Sequence, residues 1–175
     1  MSTRQAESRA TFRTPWGEGV VRIRAGRLSG VVLPPLGREE ALGVDFADSD
    51  SDGDAMAHWV TELERYFRGE RVSWTVEDLR SVDLPVGKFA RRVYEELLRV
   101  PAGTTVSFGE LAEKAGHPRA ARAVGTAMAR NPVPLVIPCH RVIRSDGSLG
   151  RYGSDSAWKR RLLEHERSCT DGSGR

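Results

Sequence analysis

The chemistry of this chain centres on Cys139 and His140, joined in Asn131-Pro132-Val133-Pro134-Leu135-Val136-Ile137-Pro138-Cys139-His140-Arg141-Val142. The other cysteine, Cys169, lies in the polar C-terminal tail. The thiolate is the reactive form of cysteine, and a free thiol with a pKa of about 8.5 holds little of it at neutral pH. Cys139 as a nucleophile therefore needs a base. Side chains of adjacent residues on extended backbone point apart, so a relay from Cys139 to His140 through one water is favoured over a direct bond. The imidazole in turn needs a third group to orient it and support its charge. Glu166, near the C-terminus, is a candidate. Cys139 can equally serve as a small buried hydrophobe, and the stretch alone leaves both uses open.

Metal chemistry is disfavoured. Cys139 and His140 lack the paired spacing of a structural zinc site, and His58, His117 and His165 are scattered. Asp48-Ser49-Asp50-Ser51-Asp52-Gly53-Asp54 alternates acidic residues like a calcium loop, but its twelfth position is Trp59.

These residues must be held by particular elements. Pro132, Pro134 and Pro138 fix φ and remove donors, which excludes a continuous helix before Cys139. With Val133, Leu135, Val136 and Ile137 between them, a buried, extended strand is expected. Upstream, Ser107-Phe108-Gly109-Glu110 has capping-box spacing and predicts a short helix through Leu111, Ala112 and Ala115. Gly116-His117-Pro118 predicts a turn, with Pro118 opening a second helix over Arg119–Ala129. This is a helix-turn-helix pattern. Ala120, Ala121, Ala123 and Gly125 make the second helix smooth. That suits close packing on another helix, or entry into a groove with Arg119, Arg122 and Arg130 supplying positive charge. After Cys139, Val142-Ile143, the turn 145–148 and Leu149 suggest a hairpin. Residues 150–154 read as a loop, and 155–166 as a helix with Trp158, Leu162 and Leu163 inside.

The first half reads differently. Residues 1–9 are polar and expected to fray. Val20–Ile23 and Leu28–Leu33 flank Ala25-Gly26-Arg27, which predicts a hairpin ended by Pro34-Pro35. The acidic 48–54 segment is expected as a flexible connection. Met56, Trp59, Val60, Leu63 and Phe67 mark one helix face. Val72, Trp74 and Val76 suggest a short strand, and 78–86 a connection. Phe89, Val93, Leu97 and Val100 mark a helix broken at Pro101-Ala102-Gly103.

The chain has 175 residues, enough for one domain or two small ones. No run is long and apolar enough to span a membrane, and no secretory signal opens the chain. Two cysteines make no disulfide framework, so a cytoplasmic setting is expected. Residues 1–80 carry net −3 and residues 81–175 net +6. A basic second half favours a polyanionic partner.

Pro138-Cys139-His140-Arg141-Val142, with Asn131-Pro132-Val133-Pro134 and Ala120-Ala121-Arg122-Ala123-Val124-Gly125 before it, closely resembles the O6-alkylguanine-DNA alkyltransferase family. The resemblance covers residues from about 86 to 167 strongly, and Thr14-Pro15-Trp16-Gly17 and the hairpin more loosely. It implies an α/β (α+β) protein of two domains. A ribonuclease-H-like unit would occupy 10–80, and a winged-helix-like unit with the helix-turn-helix 84–167, followed by a disordered tail at 168–175.

The resemblance also implies repair by direct reversal. The alkyl acceptor would be Cys139, with His140 and Glu166 as its partners and Asn131 organising the turn. Arg122 would fill the space of a flipped nucleotide. Phe108, Ala120, Ala121, Ala123, Gly125 and Ser145 would face DNA, and Tyr152, Val142 and Phe108 would line the base pocket. The partner would be double-stranded DNA containing O6-alkylguanine, bound through the minor groove by a monomer. No cofactor and no metal are implied. Relatives usually carry tyrosine where Phe108 stands, and a different loop where Gly153-Ser154-Asp155-Ser156 stands. A damage-binding regulator of this fold and a cysteine hydrolase are the rival readings. Regulators of that kind carry tryptophan at the acceptor position, and no oxyanion site for a hydrolase is recognisable.

Overall fold

A computed structural model describes residues 7–35, 50–70, 73–150 and 156–171. The chain forms two compact units, Met1–Arg71 with Glu77–Leu84, and Val72–Val76 with Pro85–Arg175. Both mix helix and strand.

The first unit is a three-stranded antiparallel sheet, β1 (Ser8–Thr14), β2 (Gly17–Arg24) and β3 (Arg27–Val32), in sequence order, with helix α1 (Asp50–Phe67). Phe12, Val21, Ile23 and Leu28 alternate onto one face and are buried, as are Trp59, Leu63 and Tyr66 of α1. Burial of this apolar set is the main favourable term for such a small unit. The hairpin turns through Ala25 and Gly26, both at positive φ. Its partner β1 begins at Ser8 and so takes in the last two residues of the segment expected to fray.

The acidic connection is corrected as well, because α1 begins at Asp50. Asp52 is buried and accepts hydrogen bonds from Ser8 Oγ at 2.8 Å and the Gly26 amide at 2.7 Å. One of the alternating aspartates thus ties the helix start to the sheet. Residues 73–76 form no strand, and Asp78–Ser81 is a 3₁₀ turn.

The second unit holds α2 (Lys88–Leu98), β4 (Val106–Ser107), α3 (Phe108–Lys114), α4 (Ala121–Ala129), β5 (Val142–Ile143) and α5 (Ser156–Asp171). Val93, Tyr94 and Leu97 of α2, Leu111 of α3, Val124 of α4, and Trp158 and Leu162 of α5 form its core. Val142-Ile143 pairs in parallel with Val106-Ser107, where a hairpin with Leu149 was expected. The turn remains, closed by Arg144 N–H donating to Ser148 O at 3.0 Å.

The capping box forms in both directions. The Glu110 amide donates to Ser107 Oγ at 3.1 Å, and the Ser107 amide to Glu110 Oε2 at 2.8 Å. The second helix starts two residues later than its sequence suggests. Arg119 adopts φ +75°, which no α-helix accommodates, and the Ala120 amide closes a turn on His117 O at 3.1 Å. Pro118 therefore sits in the turn and not at the first helical position.

The tail is also corrected. Helix α5 runs to Asp171, five residues past Glu166, so residues 168–171 are helical. Cys169 lies on this last turn, its Sγ 3.8 Å from His165 Nε2.

Candidate active site

The segment 131–138 is buried as expected, but it is folded and not extended. Pro134 and Ile137 bridge each other, the Ile137 amide donates to Val133 O at 3.0 Å, and Leu135 turns at φ +75°. A leucine held there stores roughly 1–3 kcal/mol of backbone strain. The prolines supply fixed φ values for this compact loop, and the apolar side chains of Val133, Leu135, Val136 and Ile137 anchor it in the core. Cys139 follows on a 3₁₀ turn, Cys139–Arg141.

Asn131 ties the loop to the thiol. Its Nδ2 donates to Ile137 O at 2.9 Å and Cys139 Sγ at 3.1 Å, while Oδ1 accepts from the Val133 amide at 3.0 Å. A donor aimed at sulfur favours thiolate over thiol.

His140, Arg141 and Glu166 form a buried network behind Cys139. Both oxygens of Glu166 face donors. Oε1 accepts from His140 Nε2 at 2.7 Å and Arg141 Nη2 at 2.9 Å. Oε2 accepts from Arg141 Nε and the Gly103 amide, both at 2.9 Å. Arg141 Nη1 reaches Val100 O at 2.7 Å. Burial alone would raise the Glu166 pKa. The hydrogen bonds from His140 and Arg141 and the charge of the Arg141 guanidinium outweigh it and hold the carboxyl well below its usual range. For His140, burial dominates and lowers the pKa despite the Glu166 carboxylate, so the resting imidazole is neutral. Since an ionised carboxylate only accepts, Nε2 carries the proton. Nδ1 is left with its lone pair and, among the described residues, without a hydrogen-bond partner.

A cleft of about 620 Å³ opens beside Cys139. It is lined by Phe108 of α3, Gly125, Met128 and Ala129 of α4, Asn131, Pro134, Arg144, Gly150 and Lys159 of α5. Among residues expected to face DNA, Arg122 and Ala123 are exposed on α4, and Ala120 and Ala121 are half-buried at its start. Gly125 turns to the cleft, where a Cβ would lie 3.9 Å from the Phe108 ring. Ser145 is exposed on the turn after β5. Of the expected base-pocket residues, Phe108 lines the cleft. Val142 does not: its side chain is fully buried where β5 pairs with β4, which leaves only its backbone to offer. Tyr152 and residues 153–155 lie outside the described residues.

Three contributors were missed. Gly103 was read only as a helix breaker, yet its positive φ turns its amide toward Glu166. Arg141 and Lys159 were assigned no role from the sequence, and both are buried. The direct junction of Arg141 to His140 was the available signal for the first.

Residues 88–168 match the family model described as 6-O-methylguanine DNA methyltransferase, DNA binding domain. A methylated-DNA–protein-cysteine methyltransferase of Mycobacterium tuberculosis is 46% identical over 118 residues, 67% of this chain and 68% of its own length. The chain belongs to the methylated-DNA–protein-cysteine methyltransferase family. Its mouse relative of that name is 50% identical over 109 residues, 59% of this chain and 51% of the relative. Among solved structures, Mycobacterium tuberculosis OGT in complex with DNA superposes with a TM-score of 0.73 at 34% identity, covering 93% of this chain and 94% of that one. The O6-methylguanine-DNA methyltransferase of Pyrococcus kodakaraensis does so at 0.68 and 28% identity, covering 92% and 99%. The mixed α/β architecture of both units is therefore the fold of this methyltransferase family.

Proposed function

We propose that this protein repairs DNA by moving the alkyl group of O6-alkylguanine onto Cys139, once per molecule. The observation that carries the proposal is the cleft-lining Cys139 thiol, held by Asn131 and backed by the buried His140–Glu166 pair. Family membership supplies the substrate class.

His140 acts as the base. With Nε2–H committed to Glu166, Nδ1 takes the Cys139 proton through one bridging water, and Glu166 stabilises the imidazolium that forms. The thiolate attacks the alkyl carbon in line, the S–C bond forms as the C–O6 bond breaks, and guanine leaves with the electron pair. The thioether product has no easy leaving path, so the protein is consumed. No cofactor takes part.

The alkyl carbon is out of reach within a base stack, so the nucleotide is extruded into the cleft. Helix α4 enters the minor groove with its small exposed face, and Arg122 fills the vacated space. Phosphate contacts supply most of the affinity and make it salt-dependent. Ala120, Ala121, Ala123 and Ser145 lie on the DNA side, and Phe108 lines the pocket. The first unit is ribonuclease-H-like, the second winged-helix-like, and the protein acts as a cytoplasmic monomer.

The test is transfer of labelled methyl from duplex O6-methylguanine to protein. One equivalent at most is expected; several turnovers per molecule would rule out the suicide mechanism.

A further inference from the structure

Lys159 is the unexplained charge in the cleft wall. It sits in the first turn of α5 with 1% of its surface exposed, yet it lines the same cleft as Cys139. Among the described residues no carboxylate lies within ion-pair distance of it. Its Nζ is 5.9 Å from the centroid of the Phe108 ring. A buried ammonium without a carboxylate is costly, and an apolar side chain of similar length would pack more favourably. Its charge therefore calls for a role in the cleft.

The proposed transfer has an unmet requirement. When the C–O6 bond breaks, the departing guanine carries the electron pair and must gain a proton. Among the described cleft residues other than Lys159, Phe108 has none to give. The Asn131 amide is not an acid in this range, and a guanidinium such as that of Arg144 does not release its proton. We infer that Lys159 is the proton donor to the leaving guanine, its Nζ–H passing to the base as the S–C bond forms. The neutral amine left behind recovers its proton from water. This rests on the alkyl-transfer reading above.

The acidity fits. Burial lowers the Lys159 pKa to about 8, the Cys139 thiolate opposes the shift, and Arg144 adds to it. Among the described residues, the titratable and charged groups facing Lys159 are Cys139 and His140 on the Cys139–Arg141 turn, and Arg144 after β5. Helices α3 and α4 face the cleft with Phe108, Gly125, Met128 and Ala129, none of which titrates. A donor whose pKa lies near the working pH gives the greatest general-acid advantage.

The experiment compares two reactions of Cys139 in the intact protein from about pH 6 to about pH 10. One is single-turnover transfer from duplex O6-methylguanine. The other is alkylation by iodoacetamide, whose iodide leaves without a proton. Transfer by the parent should fall as pH rises past about 8, where the ammonium is lost. Lys159→Met should slow transfer by about 100-fold or more and iodoacetamide alkylation far less. Adding Phe108→Tyr to Lys159→Met should restore much of the transfer by supplying a hydroxyl in the same cleft. Equal loss in both reactions, or no rescue by tyrosine, would mean that Lys159 acts on the thiol or the fold. A parent rate still rising through pH 10 would overturn the assignment without any variant. Absence of methyl on Cys139 in the parent would instead defeat the alkyl-transfer reading itself.

Discussion

Replacing Glu166 by glutamine tests the buried network most sharply. Glutamine keeps the shape but turns one oxygen into an NH2 group. Both oxygen positions face donors: His140 Nε2 and Arg141 Nη2 on one side, Arg141 Nε and the Gly103 amide on the other. The amide therefore meets donors in either orientation, and the guanidinium of Arg141 loses its carboxylate in a fully buried site. Removing one partner of a buried ion pair costs about 3–5 kcal/mol. For a chain of this size that lowers the unfolding midpoint by about 6–20 °C.

The pH dependence follows from the same groups. The folded Glu166 pKa is depressed, so its contribution is complete above the unfolded value of about 4.3 and is lost as pH falls below it. The folded His140 pKa is also lowered, so protonation of the unfolded chain erodes stability as pH falls below about 6.5. Thermal unfolding of parent and E166Q from about pH 8 to pH 3 should show the parent weakening in both windows, and E166Q lacking the lower one. E166Q within about 1 kcal/mol of the parent at neutral pH would refute the reasoning, because a donor cannot face donors at so small a cost.

Other perturbations address separate parts of the account. Asn131→Ala removes the donor aimed at sulfur, so the pH at which Cys139 reacts with iodoacetamide should rise; an unmoved profile would show that the 3.1 Å contact does not support the thiolate. Arg122→Ala should slow transfer from duplex DNA far more than from free O6-benzylguanine, and equal slowing would remove Arg122 from the DNA interface. Ser107→Ala deletes the α3 cap and should cost about 1 kcal/mol in denaturant unfolding. Cys169→Ala should transfer methyl at the parent rate while Cys139→Ala transfers none; a loss at Cys169 would place reactivity on the wrong thiol.

What was legible in the sequence divides along physical lines. Patterns that depend on neighbours in the chain read well. The capping box of Ser107 and Glu110, the hairpin around Gly26 and the core face of α1 all rest on local spacing. The sequence offered Cys139, His140 and Glu166 as candidates, and the structure brings His140 and Glu166 to 2.7 Å of each other. Misreadings came where distant contacts decide. Asp52 looked like part of a loose acidic run until Ser8 and Gly26 gave it partners 44 and 26 residues away. The prolines before Cys139 exclude a helix but do not separate a strand from a folded loop, and only the turn at Leu135 settles that. Helix α5 outran its apolar pattern because its last turns need no buried face. Lys159 and Arg141 carry no mark in composition of being inside; burial of a charge depends on what surrounds it.

The most direct measurement is the mass of the peptide containing Cys139 after the intact protein meets duplex DNA bearing O6-methylguanine. The account predicts a gain of one methylene group on that peptide, with the Cys139 sulfur as its site and the peptide containing Cys169 unchanged. Demethylated DNA with an unmodified Cys139 would contradict it.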